Sequence, residues 1–320
     1  MKRVMIALTG AALAAAAHGA WEYEGQWGSS GSGNGQFRDP YGIAVAASGN
    51  VYVTDYDNSR VQYFTPTGSF LGTWGSYGTG NGQFFYITGV AVAANGTVYA
   101  VDEGNGRIQY FTATGSYLGQ WGSEGSGSGQ FDYPDGVAVA SNGNVYVGDW
   151  GNDRVQYFTA TGSFLGTWGS YGSGNGEFDE PMGVACAAND NVYVVDCSNS
   201  RLQYFTATGS YLGQWGSYGS GNGQFDLPWG VDVAPNGDVY VAEWGNDRVQ
   251  YFTATGSFLG TWGSYGTGNG EFSGPLYVAV SPAGDRVYVA DTDNDRVQYF
   301  RWAEPAVTPT SLGKVKALFR

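Results

Sequence analysis

Short apolar runs and turn residues alternate along nearly the whole chain. In residues 134–178, for example, the apolar run 136–140 is followed by the turn residues 141–143 and then by a second run, 144–147. Two further runs, rich in valine and aromatic residues, follow the next turns, and the last ends at Trp168. Such runs, bounded by Gly, Asn and Ser, predict β-strands joined by tight turns. Helical periodicity is absent, so the unit is predicted to contain four strands.

This four-strand unit occurs six times. The motif Asn-x-Arg-x-Gln-Tyr-Phe recurs every 47 residues, with a single step of 48 before the last copy, and Gly-x-Trp-Gly recurs at the same period. A period of 20 to 50 residues is typical of solenoids, propellers and arrays. Four-stranded units repeated radially are the blades of a β-propeller. The sequence therefore predicts an all-β, six-bladed propeller with four-stranded antiparallel blades.

The two ends of the repeated region complement each other. The sixth unit stops after residues 297–300 and lacks its Gly-x-Trp strand, whereas residues 22–28 have the sequence of such a strand ahead of the first full unit. A closed ring protects its sheet edges, which an open array leaves exposed. We therefore expect the N-terminal strand to complete the sixth blade and close the ring.

The repeat resembles the NHL-repeat family of six-bladed propellers. The resemblance rests on Phe-x-x-Pro-x-Gly-Val-Ala-Val, followed by Val-Tyr-Val-x-Asp-x-x-Asn-x-Arg-Val-Gln-Tyr-Phe and a Gly-rich connection, and it covers residues 21–302. Blade 2 departs from the motif with Ile87 in place of the proline, and blade 6 with Tyr277 in place of the glycine. The family includes RNA binders, protein-interaction platforms, sensor domains and enzymes, so the resemblance implies a fold and leaves the function open.

The two termini indicate export. The charged residues Lys2 and Arg3 are followed by an apolar stretch, residues 4–17, and then by the small residues Gly19 and Ala20. We expect residues 1–20 to be a signal peptide, because the apolar stretch is too short to span a membrane. The propeller is then expected over residues 21–302, and residues 303–320 are expected to be a linker and a short basic tail. This interpretation places the protein outside the cytoplasm, secreted or in the cell envelope, without a transmembrane segment.

The predicted mature chain is strongly acidic. Without Lys2 and Arg3 it has 12 basic and 28 acidic residues, a formal charge of −16, and no lysine lies between Trp21 and Leu312. Nucleic-acid binding requires clustered Lys and Arg side chains that neutralise phosphates. We therefore expect no nucleic-acid partner. The sequence leaves the oligomeric state open.

An acidic residue precedes each repeated arginine by five positions. Across the loop of a hairpin these two positions face each other, so a carboxylate–guanidinium pair is expected in every blade. The asparagine three residues after each acid suits a turn position with positive φ. A feature present in all six blades indicates a structural role. The acids are Asp55, Asp102, Asp149, Asp196, Glu243 and Asp291.

Residues for catalysis or metal binding are few. The single histidine, His18, belongs to the predicted signal peptide, which leaves no residue for a Ser-His-Asp triad or a histidine-built zinc site. We expect no cofactor, with calcium at residues 55–58 or 291–294 as the open alternative. Cys186 and Cys197 are expected to remain unpaired, because a hairpin that places Cys186 opposite Tyr193 separates the two by roughly 13 Å.

Two variable columns are predicted to surround one mouth of the central channel. One column precedes the glycine of the first strand in each blade, and the other follows the repeated acid; both lie at the same end of their strands. Exposed aromatic side chains beside carboxylates are typical of an interaction surface. The candidate binding residues are Tyr41, Tyr56, Glu103, Asp135, Trp150, Met182, Trp229 and Trp244.

The predicted function is binding, without catalysis, of a protein, peptide or glycan at this mouth. Three alternatives stay open at the level of sequence. The aromatic residues could simply cover the ends of the core, the protein could be mainly structural, or the mouth could hold a carboxylate- or metal-dependent hydrolase or lyase resembling the gluconolactonase propellers. An enzyme should show three or four converging carboxylates or amides, and a binding protein a broad aromatic patch.

Overall fold

The computed structural model describes residues 19–303, which form a ring of six four-stranded antiparallel sheets. The predicted signal peptide lies outside the described residues except for its last two positions, and the predicted tail lies outside them from residue 304 onward. No helix in residues 19–303 is long and apolar enough to cross a membrane.

The described residues contain 24 strands and three short 3₁₀ helices. In chain order, strands β1 to β24 are Ala20–Trp27, Pro40–Val45, Val51–Asp55, Arg60–Phe64, Phe70–Trp74, Ile87–Val92, Val98–Asp102, Arg107–Phe111, Tyr117–Trp121, Pro134–Val139, Val145–Asp149, Arg154–Phe158, Phe164–Trp168, Pro181–Cys186, Val192–Asp196, Arg201–Phe205, Tyr211–Trp215, Pro228–Val233, Val239–Glu243, Arg248–Phe252, Phe258–Trp262, Pro275–Val280, Arg286–Asp291 and Arg296–Ala303. The 3₁₀ helices are Glu103–Asn105, Trp150–Asn152 and Thr292–Asn294. Blades 1 to 5 are formed by β2–β5, β6–β9, β10–β13, β14–β17 and β18–β21, and blade 6 by β22, β23, β24 and β1.

The N-terminal strand closes the ring, as the sequence predicts. Strand β1 pairs antiparallel with β24, from Ala20 opposite Ala303 to Trp27 opposite Val297. At the junction between blades 6 and 1, the hydroxyl of Tyr288 donates a hydrogen bond to the carbonyl of Pro66 at 3.1 Å. Strand β1 therefore supplies the outer edge of blade 6.

The expected acid–arginine pair is present in all six blades, with nitrogen–oxygen distances of 2.5–2.7 Å. In blade 1, Arg60 also donates to the carbonyls of Ser32, Gly33 and Gln36 in the preceding connector. Burial raises the pKa of Asp55, and hydrogen bonds from neighbouring N–H groups counteract this. The pair therefore fastens the hairpin of each blade to the Gly-rich connector before it.

The prediction for the repeated asparagines is wrong. Positive φ occurs at the following residue, such as Ser59 (53°) or Asp153 (51°), and not at the asparagine. The side chain of Asn58 instead donates to Asp55 Oδ1 and to the carbonyl of Gly31, both at 2.9 Å. These two hydrogen bonds explain why an amide is repeated here, since a turn alone would not require one.

The connectors end in buried phenylalanines such as Phe131 and Phe225. All six side chains at this position are fully buried and pack between neighbouring blades in the hydrophobic core. The core is thus a set of interblade clusters arranged around the channel.

Both cysteines are free thiols, in agreement with the prediction. The predicted register was wrong by one residue, because Ala185 lies opposite Tyr193 and Cys186 lies opposite Val192. Burial raises the pKa of both thiols well above the ordinary value. They are accordingly packed as small apolar side chains.

The six inner strands approach one another closely around the channel. A Cβ added to Gly42 would lie 2.5 Å from the carbonyl oxygen of Thr88, and one added to Gly89 would lie 2.4 Å from that of Asp135. The same glycine recurs in blades 3, 4 and 5, against the backbone of the next blade. This contact fixes how far the side chains beside the glycines reach into the channel.

Candidate functional site

A β-bulge in each inner strand aims one side chain at the channel. In blade 1, Pro40 pairs with Asp55 and Ile43 with Val53, so two residues, Tyr41 and Gly42, lie opposite Thr54 alone. The same shift occurs in the other five blades. Bulges redirect side chains in this way, often beside functional sites. The six redirected residues are Tyr41, Thr88, Asp135, Met182, Trp229 and Leu276.

A backbone contact brings the second column beside the first. The residue before the inner strand has positive φ in every blade, for example 58° at Tyr86 and 60° at Glu180. In blades 1, 2, 4 and 5 its carbonyl accepts the N–H of the residue after the repeated acid, as in Glu103 N–H to Tyr86 O at 3.0 Å and Cys197 N–H to Glu180 O at 3.1 Å. The left-handed conformation therefore fixes the distance between the two columns.

Seven of the eight predicted site residues line one cavity at this end of the channel. We call it the mouth pocket; it has a volume of about 350 Å³. Its lining residues are Tyr41, Tyr56, Glu103, Asp135, Trp150, Glu180, Met182 and Trp229. Blades 1 to 5 each contribute to this lining, so the pocket exists only in the closed ring.

The floor of the mouth pocket is a buried network centred on Asp135. Tyr41 donates its hydroxyl hydrogen to Asp135 Oδ2 at 2.5 Å, and Tyr277 donates to Oδ1. Trp229 Nε1 donates in turn to the Tyr41 hydroxyl at 2.9 Å. Burial raises the pKa of Asp135 to about 6, although the hydrogen bonds from Tyr277, Tyr41 and Trp229 counteract this. The network closes the channel beneath the cavity and occupies both carboxylate oxygens.

Sequence reasoning did not assign Tyr277 to the site. It replaces the close-approach glycine in blade 6, and its ring lies 5.7 Å from that of Tyr41. The substitution was visible in the sequence as a departure from the motif. The hydrogen bond that Tyr277 makes could not be predicted from the sequence, because it depends on the bulge. The bulge directs the phenol across the channel to Asp135 in blade 3.

Glu180 was also missed. It belongs to the left-handed column and lines the mouth pocket, where its Oε2 accepts a hydrogen bond from the hydroxyl of Ser198 at 2.7 Å. The column contains Asp39, Tyr86, Tyr133, Glu180, Leu227 and Gly274, and its variability was the available signal.

Among the acidic side chains of the pocket, Glu103 has the pKa that is raised furthest above its ordinary value. Burial and the nearby carboxylate of Asp135 raise its pKa to about 8, while a hydrogen bond from Trp150 lowers it. No arginine or lysine pairs with it among residues 19–303. It differs in this respect from the six structural acids.

A stack of aromatic rings runs from the floor of the pocket to the surface. Tyr41 stacks on Tyr56 with ring centres 5.6 Å apart, and Tyr56 stacks on Tyr86 at 5.1 Å. Phe85 and Tyr77 continue the row outward. The flat faces of the tyrosines are therefore largely used in contacts with each other.

The structure modifies the predicted surface in two respects. Trp244 is 43% exposed and does not line the mouth pocket, because its indole lies beside Gly274 in the next blade. Tyr41, Asp135 and Met182 are buried, where sequence reasoning expected an exposed aromatic patch. The bulge accounts for this difference, since it directs the first column into the channel. The site is a cavity with aromatic walls.

Each of the two segments considered for calcium begins with a carboxylate that pairs with an arginine. The carboxylate of Asp55 accepts hydrogen bonds from Arg38 N–H, Asn58, Arg60 and Gln62. Within residues 19–303, no group of three or more His, Cys, Asp or Glu side chains is arranged to hold a metal ion.

Comparisons with known proteins agree with this architecture. The family model of the NHL repeat matches residues 37–64, 131–158 and 225–252, which lie in blades 1, 3 and 5. The chain is a six-bladed propeller containing NHL repeats. No curated protein matches the sequence.

Solved structures with this propeller fold include enzymes. A streptogramin B lyase is 14% identical, with 89% of this chain and 98% of that chain covered and a TM-score of 0.61. A gluconolactonase from Xanthomonas campestris is 16% identical, with 84% and 88% covered and a TM-score of 0.62. A Bacteroides thetaiotaomicron protein of unknown function is 18% identical, with 87% and 76% covered and a TM-score of 0.66. At these identities the chain shares a fold with them, and its function has to be argued from its own site.

Proposed function

We propose that this NHL propeller is an exported binding protein that captures a protein, peptide or glycan in the mouth pocket. The observation that supports this most strongly is the cavity itself: Trp150, Trp229 and Tyr56 form aromatic walls above a floor closed by Asp135 and its two phenol partners. Pockets with aromatic walls and a few placed polar groups are typical ligand sites.

The closed floor favours capture over passage. A ligand can enter the mouth pocket from the open face, but the Asp135 network lies across its path along the channel. The walls are also well supported, since Trp150 packs on Tyr133 at 5.1 Å and Trp229 bonds to Tyr41. Such preorganised aromatic groups lose little conformational entropy on binding.

The test is a capture screen on residues 19–303 with peptide and glycan arrays, run with and without calcium. We expect the double variant Trp150→Ala/Trp229→Ala to lose at least about tenfold in affinity, because large aromatic side chains dominate binding energetics. Trp244→Ala is the matched control, since this indole lies on the same face outside the pocket. Unchanged capture by the double variant, with its thermal unfolding intact, would remove the proposal.

A hydrolase or lyase is the second candidate. The observation in its favour is the pair Glu103 and Asp135, whose pKa values are raised to about 8 and about 6. Carboxyl groups that titrate near neutral pH can serve as general acid and base. Because a gluconolactonase shares the fold, lactones form a second arm of the screen, with and without divalent cations. Turnover that disappears in Glu103→Gln would favour the enzyme.

A further inference from the structure

The mouth pocket has an unusual charge composition for a cavity with so many aromatic residues. Three of its eight lining residues are acidic, and none is Lys, Arg or His. Six arginines of the propeller are held in the structural acid–arginine pairs, so they do not offset the negative charge of the pocket. Nothing in the lining would neutralise an anionic ligand.

The pocket carboxylates differ in availability. Asp135 has both oxygens engaged by phenols, but Glu180 is held by a single hydroxyl, that of Ser198, and Glu103 lines the pocket without an arginine or lysine partner among residues 19–303. Glu103 and Glu180 can therefore accept further hydrogen bonds from a ligand. Both side chains are only partly exposed and have no arginine or lysine partner within residues 19–303, so the site favours an incoming positive charge.

The arrangement of the rings disfavours a sugar as the main ligand. Sugars stack on open aromatic faces, whereas Tyr41, Tyr56 and Tyr86 are stacked on one another with interplanar angles of 18° and 13°. The remaining wall residues, Trp150, Trp229 and Met182, surround the cavity beside the carboxylates. Indole rings beside carboxylates suit a cation, which is attracted by both.

We propose that the mouth pocket takes an organic cation, the ammonium or guanidinium group of a lysine- or arginine-bearing peptide, held by the carboxylates of Glu103 and Glu180 and the indoles of Trp150 and Trp229. This assignment rests on the proposed function and names its ligand class. The volume of about 350 Å³ admits one such side chain with part of its backbone.

Binding of a cation should release a proton from the pocket. The titratable groups that line the mouth pocket with Glu103 are Asp135, Glu180, Tyr41 and Tyr56, and those that line the adjoining cavity with it are Tyr86, Glu124, Asp132 and Tyr133. The pKa values of Tyr41, Tyr56 and the nearby Tyr277 lie above their ordinary values, so these three stay neutral. A cation beside Glu103 favours its ionised form and lowers the pKa that burial has raised to about 8. The protonated fraction present at neutral pH is then lost on binding.

The experiment is calorimetric titration of the purified protein with four blocked tripeptides whose central residue is lysine, arginine, norleucine or glutamate. We expect the lysine and arginine peptides to bind at least about tenfold more tightly than the norleucine peptide, and the glutamate peptide most weakly. At pH 7, titrations in buffers of different ionisation enthalpy should reveal proton release. Glu103→Gln should weaken lysine binding and abolish that release, while Glu124→Gln, an exposed acid on the same face, should change neither.

One outcome overturns this inference alone, and two others overturn the proposed function with it. Equal affinity for the norleucine and lysine peptides, or retention of a neutral glycan without either cation, would overturn the cation assignment and leave capture in the pocket standing. Tight lysine binding that is unaffected by both Trp150→Ala/Trp229→Ala and Glu103→Gln would place the cation elsewhere and overturn the assignment to this pocket. Absence of any ligand from both screens would overturn both.

Discussion

At the scale of single residues, the six blades separate structural acids from functional candidates. Asp102 and Glu103 are adjacent in sequence, yet Asp102 pairs with Arg107 at 2.6 Å and Glu103 turns into the mouth pocket without such a partner. The first position is acidic in all six blades and the second varies between them. Positions that are the same in all six blades therefore have a structural role. The residues of the candidate site are at positions that differ between blades.

The raised pKa of Glu103 predicts a pH-dependent stability. Between its ordinary value of 4.5 and its folded value of about 8, the folded protein holds a proton that the unfolded chain releases. The contribution of Glu103 to stability is present below pH 4.5 and is lost as the pH rises through 8. Glu103→Gln should therefore unfold at a higher temperature than the parent protein at pH 9, with little difference at pH 4, in scanning calorimetry.

Glu124→Gln is the control for this comparison, because it removes one exposed carboxylate from the same face. We expect its melting temperature to follow that of the parent protein across the pH range. If Glu103→Gln also follows the parent protein, Glu103 does not titrate as proposed.

At the scale of strands and loops, each blade is fastened by a polar network as well as by its core. Arg107 contacts Asp102 and the carbonyls of Gly80 and Gln83, and so links the β7–β8 hairpin to the connector that precedes blade 2. Gln109 donates to the same carboxylate and the same Gln83 carbonyl. The connectors are thus held by the blades that follow them, in spite of their glycine content.

Removal of this arginine should be severe. Arg107→Ala leaves the carboxylate of Asp102 buried and unpaired, which typically costs about 3–5 kcal/mol. Arg286→Ala breaks the partly exposed pair with Glu24, for which we expect at most about 1 kcal/mol. Urea denaturation of both variants measures the difference. Similar losses for the two would show that the buried pair adds no more than the surface pair.

The elements also show how far the sequence could be interpreted. The period and the six acid–arginine pairs follow from spacing alone, and the pairs depend only on local hairpin geometry. The closing strand follows from the complementary ends of the repeated region. The bulge at Tyr41 and Gly42 could not be predicted, since it depends on the close approach of neighbouring inner strands. For that reason Tyr277 was missed, and Trp244 was assigned to a cavity that it does not line.

At the scale of the whole molecule, closure of the ring creates the site. The mouth pocket takes residues from five blades, and its floor joins blades 1, 3, 5 and 6 through Tyr41, Asp135, Trp229 and Tyr277. A repeat protein with six equal blades would have a symmetric mouth. The differences between blades at these few positions give this propeller one asymmetric cavity on an otherwise regular scaffold.

The most direct test of this account is the NMR signal of the indole N–H groups. The chain contains 11 tryptophans, and ¹⁵N-labelled protein can be titrated with the lysine tripeptide or with any ligand retained by the capture screen. We predict that the indole signals of Trp150 and Trp229 shift with ligand concentration, while those of Trp244 and the core tryptophans stay in place. Saturable shifts at Trp244, with Trp150 and Trp229 unmoved, would contradict the central claim that the mouth pocket is the binding site.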